Sequence, residues 1–203
     1  MCNRDRFVKT LMAIVGVFAC AAAALAGGGV VLPSASTPKG YSLKSMAAAT
    51  AVYNTGVVSG SPLTPPPPNV PFEILVDDAT VRPGTMLYVP IFFADDSGGA
   101  PPGFPTNVND QEACADFLDG LVLDDFGVEA FIVQVDGHTT VLDDGYISGT
   151  KTPPLLDGPP AGTNYIISAA FLGPLTPGQH TVGFGGIIDD EPVVFVSFTV
   201  TVR

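Results

Sequence analysis

Pro174-Leu-Thr-Pro-Gly-Gln-His-Thr-Val-Gly-Phe-Gly-Gly186, followed by Val193–Val202, decides the fold. In Thr176-Pro177-Gly178-Gln179, Pro177 pre-sets φ near −65° at the second turn position, and Gly178 accepts the positive φ that a type II turn needs at the third. The strand that follows places His180, Val182 and Phe184 on one face and Thr181 and Gly183 on the other. In the last strand, Val194, Val196, Phe198, Val200 and Val202 alternate with Ser197, Thr199 and Thr201. This period of two, rich in β-branched residues, predicts strands with one buried and one wet face. The pair reads as the closing hairpin of a β-sandwich, with no sorting tail expected beyond Arg203.

Upstream, Phe72–Val76, Met86–Phe93, Val128–Val135, Thr139–Leu142 and Asn164–Leu172 read as further strands, with a short one at Tyr146-Ile147. Pro90 inside the second demands an edge or a bulge. Asp136-Gly137 is a strong two-residue type I′ hairpin signal. Asn164–Leu172 is apolar on both faces, as a central strand would be. The long Asp95–Asp125 connection starts a short helix near Asn109-Asp110-Gln111-Glu112, with Ala113, Phe117 and Leu118 toward the core. The fold class expected is all-β: an antiparallel β-sandwich, immunoglobulin-like, with one short helix.

Three segments are expected. Met1–Ala26 has a basic start, an apolar run and Ala24-Leu25-Ala26 before Gly27, the pattern of a secretory signal peptide. Val17-Phe18-Ala19-Cys20 offers the alternative of lipidation at Cys20. Residues 27–69 read as a flexible, Pro-rich linker ending in an extended polyproline stretch, and residues 70–203 as the sandwich. Tyr41–Gly60 has an Ala-rich centre that suggests at most a helical turn. After leader cleavage no membrane span is expected.

The 203-residue chain carries 20 acids and 8 bases, a formal charge of −12. Removal of Met1–Ala26 takes three bases and one acid, leaving five against nineteen, a net of −14. Such a surface excludes phosphate neutralisation, so nucleic acid is not a partner class. Only Cys114 remains outside the leader, so no disulfide framework exists, and a buried small hydrophobe is the favoured reading.

Several stretches resemble a widespread group of secreted bacterial β-sandwich proteins. They are Tyr88-Val-Pro-Ile-Phe-Phe-Ala-Asp-Asp-Ser97, Phe104-Pro105, Val135-Asp136-Gly137 with Leu142 and Tyr146, Asp157-Gly158, and Ala169-Ala-Phe-Leu-Gly-Pro-Leu-Thr-Pro-Gly-Gln-His-Thr-Val182. The resemblance spans about Pro71 to Arg203 and implies a signal peptide and a sandwich, with no activity to transfer. It also implies a cysteine near position 96 paired with one near Cys114; this chain has Asp96 there.

Five Asp-Asp pairs fall at strand ends: 77–78, 95–96, 124–125, 143–144 and 189–190. If strands alternate up and down, Asp95, Asp96, Asp143, Asp144, Asp189 and Asp190 share one pole. Asp124-Asp125 joins them if the long connection returns, while Asp136 and Asp77-Asp78 lie opposite. Convergent carboxylates repel unless a cation offsets them, which makes these six candidate ligands for Ca²⁺ with a Kd on the order of 0.1–1 mM. The plainer alternative is that acids end strands and keep loops solvated; no EF-hand spacing is present. His180 reads as a hydrogen-bonded structural histidine and His138 as exposed. No Gly-x-Ser-x-Gly, His-Glu-x-x-His or Cys-x-x-Cys occurs, so no catalytic or cofactor-binding residue is assigned.

The function expected is a non-catalytic, secreted or cell-envelope module that binds an extracellular component, carbohydrate or protein, or plays a structural part. The alternative is a polysaccharide-active or other hydrolase using carboxylates of the 95–125 connection, a length often functional. The absence of Trp weakens a sugar platform.

Overall fold

The computed structural model describes residues 31–60, 65–156 and 158–203. The expected leader, with Cys20, lies outside them. Among the described residues two α-helices and nine strands follow in order: α1 Leu43–Ser59, β1 Glu73–Ile74, β2 Ala79–Val81, β3 Leu87–Asp95, α2 Gln111–Phe126, β4 Ala130–Val135, β5 His138–Val141, β6 Ile147–Thr152, β7 Thr163–Leu172, β8 Gly178–Ile188 and β9 Glu191–Val202. They make a four-stranded sheet, β1-β3-β7-β6, and a five-stranded sheet, β2-β9-β8-β4-β5.

The closing hairpin forms as its alternation dictates: β8 and β9 pair antiparallel from Gly178↔Val202 to Ile188↔Glu191. Its tip is Asp189-Asp190, both at positive φ (52° and 63°) without a glycine. Aspartate tolerates that region because its short side chain can bond locally. One register slip between Phe184 and Gly185 makes Phe195 an extra residue, so Phe184 pairs with Val196 but Gly185 with Val194. Val194 therefore leaves the face of Val196, Phe198 and Val200, against the strict alternation expected. A Cβ on Gly185 would overlap the Val193 carbonyl, so only glycine fits there. Asp136 and Gly137 turn β4 into β5 at φ 50° and 84°, the expected type I′ geometry.

The antiparallel expectation needs correction at both short strands. β1 pairs parallel with β3, and β2 pairs parallel with β9. The segment read as one strand, Phe72–Val76, pairs only over Glu73-Ile74, in the first sheet, and Ala79–Val81, beyond its expected end, forms a further strand in the second. Pro90 sits in a central strand beside a register slip between Pro90 and Phe92, the bulge its missing N–H requires.

The two sheets share one hydrophobic core. Between them Phe92 of β3 stacks on Phe131 of β4, ring centroids 6.1 Å apart. The opposite face of the first sheet is covered by α1, so Leu43–Ser59 is a packed helix within the segment 27–69 that was expected to be a flexible linker. Ser42 caps α1 by accepting from Ser45 N at 3.1 Å, and Gly60 ends it in the left-handed region. Leu43, Met46, Ala47, Thr50, Ala51 and Asn54 form its buried stripe at helical spacing. Asn54 Nδ2 donates to the hydroxyl of Tyr165 on β7 at 3.2 Å, a contact across 111 residues. Ahead of the helix, Leu32 N donates to Phe171 O, and the Tyr146 hydroxyl donates to Leu32 O at 2.8 Å.

The long connection holds α2, capped by Asp110 accepting from Ala113 N. It is longer than the short helix expected and absorbs Asp124-Asp125, which therefore do not end a strand. Its Cys114 lies against Gly149 of β6, where a Cβ would come within 2.7 Å of the sulfur. Cys114 is fully buried, its thiol directed at Val108 O and its pKa pushed up by burial first and Asp110 second.

Met46 is wholly buried. Met46→Ala should lower the unfolding free energy by about 2–5 kcal/mol in a urea titration, as core truncations do. An unchanged midpoint would return this segment to the role of a tether.

Candidate functional site

His180 stands at the start of β8, opposite Val200 of β9. Its Nδ1 lies 2.7 Å from Asp136 Oδ2, and its Nε2 lies 2.8 Å from the Thr176 carbonyl oxygen. The other Asp136 oxygen accepts from Thr181 N at 2.9 Å, while Asp136 N donates to Thr181 O. The turn of one hairpin is thus tied to the first residues of another strand by three polar contacts of Asp136, and His180 is held to its own preceding loop by a fourth. Asp136 can do this because the I′ turn holds it at positive φ and aims its carboxylate along β8.

Both ring nitrogens face oxygen acceptors, an arrangement that only the imidazolium, with a proton on each nitrogen, satisfies in full. Burial pulls the His180 pKa down. The Asp136 hydrogen bond, the Thr176 carbonyl and the Asp136 charge together outweigh it, and the net direction is upward. An aspartate–histidine pair is also two-thirds of a nucleophile-activating triad, but here a main-chain carbonyl fills the place of the nucleophile. With Nε2 spent on it, the ring has no lone pair for a substrate proton. The arrangement is a clasp, and it meets the structural reading of His180; His138 is exposed.

Several of the paired acids accept from main-chain N–H groups, some in their own turn and some on a distant strand. Asp95 Oδ1 accepts from Ser97 N at 2.8 Å. Asp96 accepts from both Asn164 N (2.8 Å) and Asn164 Nδ2 (2.6 Å), pinning the start of β7 to the end of β3. Asp143 Oδ1 accepts from Gly145 N at 2.9 Å and opens the 3-10 turn Asp144–Tyr146. Asp189 and Asp190 are the β8–β9 turn, and both are exposed. Asp78 Oδ1 accepts from Thr199 N at 2.7 Å on the edge of β9. Among the described residues no three His, Cys, Asp or Glu side chains come together as metal ligands. The six candidate Ca²⁺ ligands stand in three separate turns: Asp95-Asp96 follow β3 beside the start of β7, whereas Asp143-Asp144 lead into β6, whose first residue pairs toward the other end of β7.

Two residues escaped the sequence reading. Asn164 anchors Asp96; its only signal was a polar residue opening an otherwise apolar strand. Asp119, on α2, has its carboxyl pKa raised, chiefly by burial and further by Asp144 and Asp116. Helical spacing from Asp110 could have placed Asp116 and Asp119 near one another, but nothing local could have brought in Asp144. A cavity of about 120 Å³ lies beside the Asp96–Asn164 clamp, lined by Lys151, Thr152, Ala161, Gly162, Thr163 and Asn164. Ligand pockets for drug-sized molecules are roughly 300–1,000 Å³, so it admits a few waters or a small polar group.

The clasp makes stability depend on pH with a definite sign. Because the folded state raises the pKa of His180, its contribution is fully present below the unfolded value, about 6.5, and is lost as pH rises through the folded one. The gap in unfolding free energy between the wild type and His180→Gln should therefore narrow as pH is raised from about 6 to 9. A gap that stays constant or widens would contradict the doubly donating ring.

No protein-family model matches this chain, and neither a curated protein nor a solved structure does.

Proposed function

We propose that the mature chain is a secreted or cell-envelope β-sandwich module, immunoglobulin-like in its layering, whose task is binding or structural and not catalytic. The observation that carries this reading is the use made of its polar groups. The ring of His180, both oxygens of Asp136 and both of Asp96 hold strands to turns, where a catalytic site would leave them facing substrate space. The leader-like start, the net acidity and the resemblance to secreted bacterial sandwich proteins support the same compartment. The partner class is an extracellular or envelope component, protein or carbohydrate. Among the described residues no helix is long and apolar enough to cross a membrane.

One observation favours the hydrolase reading: Asp119 has a raised pKa and stands near Asp144, as an acid with a carboxylate neighbour would. The test is incubation of the purified protein with chromogenic glycosides and soluble polysaccharides, beside Asp119→Asn. No turnover above background is expected from either. Turnover by the wild type that Asp119→Asn abolishes would replace the binding module with an enzyme. Mass spectrometry of the exported protein should find its N-terminus at Gly27; a lipid on Cys20 would move it to the membrane-anchored alternative.

A further inference from the structure

Sheet edges expose rows of N–H and C=O groups that pair readily with a further chain. The outer edge of β9 is only partly covered. β2 pairs with it from Val200 to Val202, and Asp78 caps the next N–H, that of Thr199. Upstream of that cap, among the described residues, no strand pairs with this side of β9. Thr199 N points outward, so the two-residue period of a strand turns the N–H and C=O of Ser197 the same way. Ser197 is exposed, as are Val193 (39%) and Phe195 (42%), large apolar side chains on the same uncovered stretch.

The charges at the two ends of the uncovered stretch are all of one sign. Asp189, Asp190 and Glu191 stand at its hairpin end and Asp77 and Asp78 at the other, while Pro192–Phe198 carries no charge. A second copy paired antiparallel across a two-fold axis would bring Glu191 of each chain toward Asp78 of the other, a repulsive arrangement. An extended segment with basic residues at both ends and alternating β-branched residues between them meets the edge with complementary charge. Pro192, which has no N–H, and the bulge at Phe195 blunt the hairpin end. They limit an added strand to a few residues, which suits a reversible contact.

We propose that the open edge of β9, Glu191–Phe198, receives an extended cationic segment of another protein as an added strand. This rests on the binding-module reading and specifies its partner as a protein: main-chain hydrogen bonds supply the affinity, and the acidic ends select the sequence. The probe is a fluorescein-labelled peptide, Lys-Lys-Val-Thr-Val-Thr-Lys-Lys, titrated with the full-length protein and followed by anisotropy. Two controls accompany it: the same peptide N-methylated at alternate amides, and a version with Glu in place of every Lys. Saturable binding of the first is expected, with each control at least about tenfold weaker, as the loss of strand hydrogen bonds or of charge attraction demands. Ser197→Pro, which removes an outward N–H, and Phe195→Lys, at an exposed position, should each weaken binding by a similar factor. No binding, or binding indifferent to N-methylation, overturns the proposal. So does a dimer in sedimentation equilibrium that Phe195→Lys dissolves, which would give the edge to a second copy. Failure here leaves the glycoside assay unaffected, so loss of the edge assignment and loss of the module reading can be told apart.

Discussion

β7 is buried on both faces along nearly its whole length, from Tyr165 to Leu172. A strand of that kind cannot lie on the outside of a two-layer structure, because one apolar side would face water. The second sheet covers one side, where Phe92 meets Phe131. The other side, carrying Tyr165 and Phe171, needs a further layer, and α1 supplies it. The N-terminal helix is therefore a structural requirement of the central strand and not an appendage. Its stripe is built largely of small residues, Ala47, Ala51 and Thr50, which let the helix approach a sheet already filled by aromatic rings. Phe72 links the two contacts, packing on Tyr41 before the helix and on Phe171 in the sheet. Burial raises the pKa of both Tyr88 and Tyr165 under this layer, as a dry interface should.

The same economy governs the polar groups. In a chain with so many carboxylates and so few bases, acids cannot be paired off in salt bridges. The main-chain N–H groups of turns and strand ends take that part instead. Asp78, Asp95, Asp96, Asp136 and Asp143 each accept from a backbone N–H, and Asp110 does so at a helix start. Charge-assisted bonds of this type are stronger than neutral ones and replace cations as the stabilising partner. His180 is the one basic side chain drawn into an ion pair among the described residues, and it joins two hairpins that the chain separates by 44 residues.

What could be read from residues alone follows from the range of each signal. The closing hairpin, the Asp136-Gly137 turn, the bulge forced by Pro90, the Asp110 cap and the structural role of His180 are all written in neighbouring residues. Cys114 as a small buried hydrophobe follows from its type. Other features were decided by distant partners. Met46–Val52 is a helix by propensity, but Gly and Pro on both sides favoured a tether; only the uncovered face of β7 makes it core. The parallel placement of β1 and β2 depends on which sheet each joins, which strands of two and three residues do not encode. The insertion of Phe195 turned Val194 over because Gly185 lets the Val193 carbonyl approach. The pole expected for the aspartates assumed that every strand alternates within a simple meander, whereas β3 ends and β6 begins toward opposite ends of β7.

Amide hydrogen exchange tests the central claim, that α1 is the second cover of the central strand, most directly. The account predicts that amides of residues 47–58 and of Tyr165–Phe171 are protected together and lose protection together as denaturant is added. Exchange of the α1 amides at unfolded-chain rates, with β7 still protected, would contradict it.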